Sequence, residues 1–407
     1  MRILITSIVD LKRVTHNRIH VFADYLSRRH DVTVLCLNAW WLEKSETDDG
    51  SADYHSDSYF RELFERTRIL YLSRGRRPAV LQELTSLRTL DGLLRGIGLA
   101  SFDVHLNYCN LIAGYFVARK AKRLGIPTVF DIADDLPHSF ARSPRVPHVL
   151  RPLAGLAARG MLAANVRLAR KVTFVTQALG DAYHLPHDKA VLIPNGFHEE
   201  LLERAPSQGL KKDLGIEEAF VLGFVGTLLP WVDLEPTFEA LRSVSADGKD
   251  IRMLVVGGGE KLQKSVALAD AYGITDRLIF TNHVPLSEIP QYISCMDVCL
   301  IPRTATRDSD LSLPLKLFEY MACRKPVIST PLAGVREAVG DRVLYAQESG
   351  EFAGRITELY LDEDLRGRLG MEGSEFVRRN YAWEQICRRF EGALIETAGE
   401  SAVAVSS

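Results

Sequence analysis

No window of the sequence approaches the roughly twenty consecutive apolar residues that a bilayer-spanning helix needs. The first apolar run, in "MRILITSIVD", is only about seven residues long after a single arginine, too short to be expected as a signal peptide. Cysteine is sparse as well. Cys36, Cys109, Cys295, Cys299, Cys323 and Cys387 are scattered and lie mostly inside apolar runs, which argues against a disulfide framework and suits reduced core thiols in the cytosol. Cys295 and Cys299 could share a helix face, but no further ligands stand near them to make a metal site. Net charge is also lacking, at a formal −2. The chain as a whole has no attraction for nucleic acid or an anionic membrane, so any phosphate or lipid recognition has to be local.

What is present is an ordinary globular composition, 46% hydrophobic and 25% charged, over 407 residues, enough for two domains. Strand-like apolar runs recur: "RILITSIV" (2–9), "DVTVLCLN" (31–38), "RILYLS" (68–73), "FDVHLNYC" (102–109), "TVFDIA" (128–133), "KVTFVTQ" (171–177) and "AVLIPN" (190–195). Helix-period segments at 16–29, 82–99, 111–124 and 150–170 separate most of them. Near-continuous apolar strands alternating with helices predict a parallel sheet covered on both faces.

The polar stretch "GFHEELLERAPSQGLKKDLGIEEA" interrupts this pattern, which resumes with "FVLGFVGTL", "IRMLVVGGG", "RLIFTNHV", "DVCLIPR", "KPVIST" and "RVLYAQ". The expected fold class is therefore α/β, two doubly wound parallel-sheet domains, 1–200 and 201–384, with the boundary within 196–210. Such a pair implies a cleft, and ligands in such sheets sit beyond the carboxyl ends of the strands.

"SLPLKLFEYMACRKPVIS" (312–329) reads as a helix start running into a buried strand, yet it puts Lys316 in the first turn. A cation beside the positive end of a helix is unfavourable unless something offsets it. Pro314 is placed as a first-turn proline, with Ser312 or Leu313 near the cap, which sets the ammonium beside free backbone amides. A diphosphate there would accept amide hydrogen bonds and pair with the ammonium; the alternative is a lysine pointing into solvent. Glu319, one turn on, could accept two ribose hydroxyls or simply pair with Lys316. Gly226 and the run Gly257, Gly258 and Gly259 end two strands and leave amides open to a ligand, although glycine there is also ordinary turn chemistry.

Two loops of the first domain carry further candidates. "TVFDIADDLPHSF" ends a strand in Asp131, Asp134 and Asp135, any of which could act as general base toward a substrate hydroxyl or orient it; helix capping is the alternative for Asp135 and for Asp134. In "SIVDLKRVTHNRIH", His16 or Arg18 could contact phosphate or acceptor, with helix-start polarity as the alternative. His16 and His20 stand four apart, but without a third ligand no metal is expected. Residues 142–171 hold seven basic residues and no acidic one, interleaved with Leu, Ala and Met, either a peripheral membrane contact or a packed helix with a cationic edge. "KSETDDGSADYHSDSYFRELFER" (44–66) reads as a polar surface insertion, and the last nine residues as a frayed tail.

Taken in order and spacing, "VLIPNGF", "GFVGTL", "VVGGGE", "RLIFTNHVPLSEIPQYISCMDVCLIP", "SLPLKLFEYMACRKPVIS" and "NYAWEQI" resemble the donor domain of GT-B glycosyltransferases of the GT4 type over about residues 170–395. The variant with Pro-x-Lys-x-Phe-Glu-Tyr-Met is similar to teichuronic-acid-type and xanthan glucuronosyltransferase-like enzymes, of which the xanthan type places a catalytic aspartate in the region of 131–135. The resemblance implies a metal-independent transfer from a nucleotide sugar, with UDP the default base, to a sugar, lipid-linked or small-molecule acceptor. It implies no cofactor besides that co-substrate, and a cytoplasmic enzyme at most peripheral at the inner membrane face. The base would lie by Asn282, His283 and Val284, the diphosphate by Gly226, Thr227 and Lys316, the ribose by Glu319, with Gly258 and Leu315 completing the donor site. A helix at 385–400 would return to the first domain.

Three departures accompany the resemblance. Leu311 stands where the family's Glu-x7-Glu pair has its first carboxylate, with Asp308 or Asp310 as conceivable replacements. Thr227 and Trp231 stand where an arginine and a lysine follow the first donor-domain strand. The Gly-Gly turn after the chain's first strand is missing. Retention at the anomeric carbon is the expected outcome; a UDP-sugar 2-epimerase-like enzyme and a non-catalytic nucleotide-sugar binder are the rival readings.

Overall fold

The computed structural model describes residues 1–37, 57–72, 79–142, 146–199, 209–246 and 248–406. It divides into two compact units, Met1–Pro194 with Ile386–Ser407, and Asn195–Gln385.

The first unit is built on seven parallel strands: β1 (Arg2–Ser7), β2 (Asp31–Cys36), β3 (Arg68–Tyr71), β4 (Val104–Tyr108), β5 (Thr128–Ile132), β6 (Lys171–Phe174) and β7 (Ala190–Leu192). Their order is β3-β2-β1-β4-β5-β6-β7. The order reverses at β1, which pairs in register with both β2 and β4. Apolar residues fill both faces because helices cover both: Ile3, Leu4 and Ile5 in succession are wholly buried.

The final helix, Trp383–Ser406, belongs to this unit from Ile386 onward. There Phe390 stacks on Phe22 at 3.9 Å between centroids, and Glu391 meets His30 Nε2 at 2.8 Å. The stretch expected as a polar insertion is in part a packed helix, Ser58–Arg66, with Phe60 and Leu63 buried; the rest of it, 44–56, lies outside the described residues.

The second unit has six parallel strands: β8 (Phe220–Val225), β9 (Ile251–Val256), β10 (Leu278–Phe280), β11 (Val298–Ile301), β12 (Val327–Ser329) and β13 (Leu344–Tyr345). Their order is β10-β9-β8-β11-β12-β13. The reversal falls between β8 and β11, and at such a point the loops after the two strands run to opposite faces and leave a crevice. Phe238 and Leu241 pack one helix against the sheet, and Leu317, Phe318, Tyr320 and Met321 another. The Tyr320 hydroxyl accepts the Val225 amide at 2.6 Å, which ties the helix Leu315–Ala322 to the last residue of β8. The unit closes where the Phe197 amide donates to Tyr381 and the Trp383 amide donates to Phe197.

Candidate functional site

The carboxyl end of β8 turns at Gly226 with φ +127°, and that of β9 at Gly257 with φ +129°, values at which a side chain is strained. Space enforces glycine as well. A Cβ on Gly257 would lie 2.4 Å from the Gly226 carbonyl oxygen, and one on Gly226 would lie 2.7 Å from Lys316 Nζ. The two turns and the lysine therefore occupy one place.

Lys316 reaches it from the helix Leu315–Ala322. Pro314 is the N-cap residue (φ −64°, ψ 130°) and not the first helical residue. The difference leaves Leu315 and Lys316 as the first helical positions, whose amides have no acceptor within a helix. The Lys316 ammonium lies 3.8 Å from the centroid of the Phe224 ring and has no carboxylate within ion-pair distance among the described residues. Burial, with the like charge of Arg303 added, holds its pKa down to about 7 against the weaker pull of Glu319. Burial pushes the Glu319 carboxyl up, opposed by His198 and then Lys316. Both side chains remain partly exposed, so a ligand can reach them.

The neighbouring strand ends join this site. Gly257 pairs antiparallel with Asn282, itself in the left-handed region at φ +58°. Beyond it His283 is exposed and Val284 is buried. Thr227, Gly258 and Leu315 are partly exposed.

Leu311, at the position of the first carboxylate of the family's pair, is a buried core residue. Asp310 caps a different helix, accepting the Ala333 amide at 2.7 Å. Arg303, which the sequence reading passed over, follows β11 and lies with its guanidinium carbon 5.9 Å from the centroid of Trp231. The signal that could have found it is the dipeptide Pro302-Arg303 at a strand end.

In the first unit the four charged candidates separate. Asp131 is fully buried, with Oδ2 and Oδ1 each 3.0 Å from the Arg18 guanidinium and Oδ1 also accepting from Thr173. Arg18 donates further to the Pro194 carbonyl at 2.8 Å and lies over the Phe22 ring. This buried pair knits β5, β6 and the helix Arg18–Ser27 together and faces no solvent. Asp135, 1% exposed, accepts the His138 amide and the Tyr183 hydroxyl. Asp134 alone of the three carboxylates is exposed.

His16 is partly buried and meets the Tyr59 ring edge-on at 5.3 Å. His20 is buried in a capping box with Asn17, its pKa lowered to about 4 chiefly by burial. Its Nε2 lies 2.8 Å from the Leu11 carbonyl, so this histidine serves the helix start.

Two Rossmann-like units, each a parallel sheet that reverses its strand order beside its first strand, define the GT-B class of fold. Residues 207–376 match the family model described as "Glycosyl transferases group 1", and residues 15–196 that described as "Glycosyl transferase 4-like domain". Together the two matches span most of the chain, which belongs to the group 1, GT4-like glycosyltransferase family. Among curated proteins it is 30% identical over 154 residues to the 2-deoxystreptamine glucosyltransferase of Streptomyces kanamyceticus, 37% of this chain and 38% of that one. It is 27% identical over 206 residues to the putative teichuronic acid biosynthesis glycosyltransferase TuaH of Bacillus subtilis, 49% of this chain and 48% of that one. The chain thus spans less than half the length of these two relatives. Among solved structures, Anabaena Alr3699/HepE in complex with UDP matches with a TM-score of 0.72 at 18% identity, covering 97% of this chain and 100% of that one. This last likeness concerns the fold.

Proposed function

We propose that the chain transfers a sugar from a nucleotide diphosphate sugar to an acceptor hydroxyl, with the donor held by the second unit. The observation that carries this reading is the Lys316 ammonium, partly buried with a depressed pKa against Gly226 and the first turn of a helix. A diphosphate would relieve the cost of that cation, feel the helix dipole and accept the first-turn amides. Glu319, one turn along, suits the ribose hydroxyls. UDP is the first nucleotide to test, because the Anabaena protein of the same fold was solved with UDP and with UDP-glucose.

In the reaction the bond from the anomeric carbon to the β-phosphate oxygen breaks as the acceptor oxygen bonds to that carbon. Negative charge grows on the departing diphosphate, where Lys316 and the amides stabilise it, a contribution of on the order of 10² to 10³ in rate for one well-placed donor. This cation does the neutralising that a metal would otherwise do, so the reading is of a metal-independent enzyme. Asp134, exposed at the end of β5, is the carboxylate suited to orient the acceptor hydroxyl or take its proton. Retention remains our assignment for the stereochemical outcome.

The acceptor side has its own supporting observation. Val149, Leu150, Leu153 and Leu156 are 85%, 50%, 64% and 67% exposed, within the acid-free basic segment 142–171. An apolar face rimmed by arginine suits an anionic lipid surface and, with it, a lipid-linked acceptor. No helix among the described residues is long and apolar enough to cross a membrane.

The test is a panel of sugar nucleotides read by calorimetry, followed by product analysis with and without acceptors. Binding of a nucleotide diphosphate sugar and glycoside formation that depends on an acceptor are expected. Formation of a 2-epimer without acceptor, or binding with no turnover across many acceptors, would overturn the assignment.

A further inference from the structure

The donor-side loop after β8, "VGTLLPWVDLEP", contains no basic residue, and one lysine is a thin complement for a diphosphate that carries two to three negative charges. The sheet topology brings a second cation from elsewhere. β11 is the neighbour of β8 across the reversal of strand order, with Val298 level with Leu222 and Cys299 with Gly223. The same register carried three residues further sets position 302 level with Gly226. Arg303 is the next residue, at the rim of the crevice that Gly226 and Lys316 line.

The backbone around it is fixed. Arg303 forms an antiparallel bridge with Val232, and its amide donates to Thr330 Oγ1 at 2.9 Å. On either side, the Thr304 amide donates to the Trp231 carbonyl at 3.0 Å and the Asp233 amide to the Pro302 carbonyl at 3.1 Å. These bonds zip the loop after β8 to the loop after β11 and seat the guanidinium beside the Trp231 ring. An arginine–indole contact of this kind limits the directions the guanidinium can take and leaves its edge able to form two parallel bonds to a phosphate. Arg303 is also near enough to Lys316 to help depress its pKa. Two like charges held so close are unfavourable in the empty site and favourable once an anion lies between them.

We propose that Arg303 is a ligand of the donor diphosphate, seated by Trp231, and restores from β11 the positive charge that the loop after β8 lacks. Trp231 is a positioning residue, the side chain that keeps the guanidinium at the rim. This proposal rests on the reading of the second unit as a nucleotide diphosphate site.

The experiment is titration calorimetry of the full chain with UDP, GDP and uridine, for the wild type and for Arg303→Ala, Arg303→Lys, Trp231→Ala, Trp231→Phe and Lys316→Ala. Removing a charge-assisted pair should weaken UDP about 10- to 100-fold and leave uridine within about twofold, because only the diphosphate touches the arginine. Arg303→Lys should recover part of the loss, and Trp231→Phe should bind UDP more tightly than Trp231→Ala. Thermal melts of each variant show that the fold is retained. If Arg303→Ala binds UDP like the wild type while Lys316→Ala does not, the role of Arg303 is overturned and the donor site stands. Equal losses for UDP and uridine would also overturn it. A wild type that binds neither UDP nor GDP would overturn the donor site itself.

Discussion

Lys316 Nζ sits 3.8 Å from the centre of the Phe224 ring, with the Gly226 backbone so near that a methyl group added there would lie 2.7 Å from the same nitrogen. An ammonium between an aromatic face and a tight glycine turn is partly desolvated, and this is chiefly why its pKa falls to about 7. The ring face returns some electrostatic stabilisation, but the remainder of the lost hydration is left for a ligand to supply.

The first prediction concerns protons. At pH 8 the free lysine is mostly neutral, and a bound diphosphate favours its charged form, so binding should take up close to one proton. Calorimetry in two buffers of different ionisation enthalpy measures this directly; near pH 6, where the lysine is already charged, the uptake should approach zero. Identical enthalpies in both buffers at pH 8 would count against the assignment. The sign for stability follows the same logic. A lysine with a lowered folded-state pKa binds fewer protons folded than unfolded between about pH 7 and its ordinary value. Lys316 should therefore contribute stability that grows as pH rises through that window, read as the difference between the unliganded wild type and Lys316→Met at each pH, because buried cysteines and tyrosines with raised pKa act in the opposite direction near its upper end.

Gly226→Ala should lose donor binding and stability together. The positive φ costs about 1–3 kcal/mol for a residue with a side chain, and the new methyl group must displace Lys316. Urea unfolding and UDP titration check the two parts, and an unchanged affinity would show that the lysine does not need its present place.

The carboxylates of the first unit should separate by phenotype. Asp131→Ala strands the buried Arg18 and should destabilise the fold by about 3–5 kcal/mol. Asp134→Ala removes an exposed group, so the unfolding midpoint should hold while turnover falls by about 10² or more. Denaturant unfolding alongside turnover distinguishes them; an Asp134→Ala enzyme with full activity would pass the acceptor role to another residue.

The exposed leucines give a surface prediction. The chain should co-sediment with anionic vesicles in preference to neutral ones, less so in high salt. Leu153→Asp with Leu156→Asp should abolish the association without moving the melting temperature, since both side chains lie in solvent. Binding that is indifferent to both lipid charge and these substitutions would remove the membrane reading.

Much of the fold was legible because a parallel strand buried on both faces cannot hide its composition: Ile3, Leu4 and Ile5, or Leu222 to Val225, are apolar or glycine in succession. Lys316 was legible for a local reason, a cation at a helix start. Its partners were harder to see. Arg303 meets Trp231 only through a bridge between two loops some 70 residues apart, and Arg18 meets Asp131 across 113 residues, pairings that no local periodicity announces. The buried pair also shows why Asp131 read as a candidate: a strand-end aspartate has the same one-dimensional signature whether it faces a ligand or neutralises an arginine in the core. Residues 58–66 carried a readable signal, Phe60 and Leu63 three apart on one helix face, within a segment whose serines and aspartates masked it.

The central claim is that Lys316 neutralises the diphosphate as it departs, and the steady-state turnover of Lys316→Ala tests it most directly. With melting behaviour matched to the wild type and donor at saturation, turnover should fall by about 10² to 10³. A variant that keeps more than about a third of wild-type turnover would contradict the account.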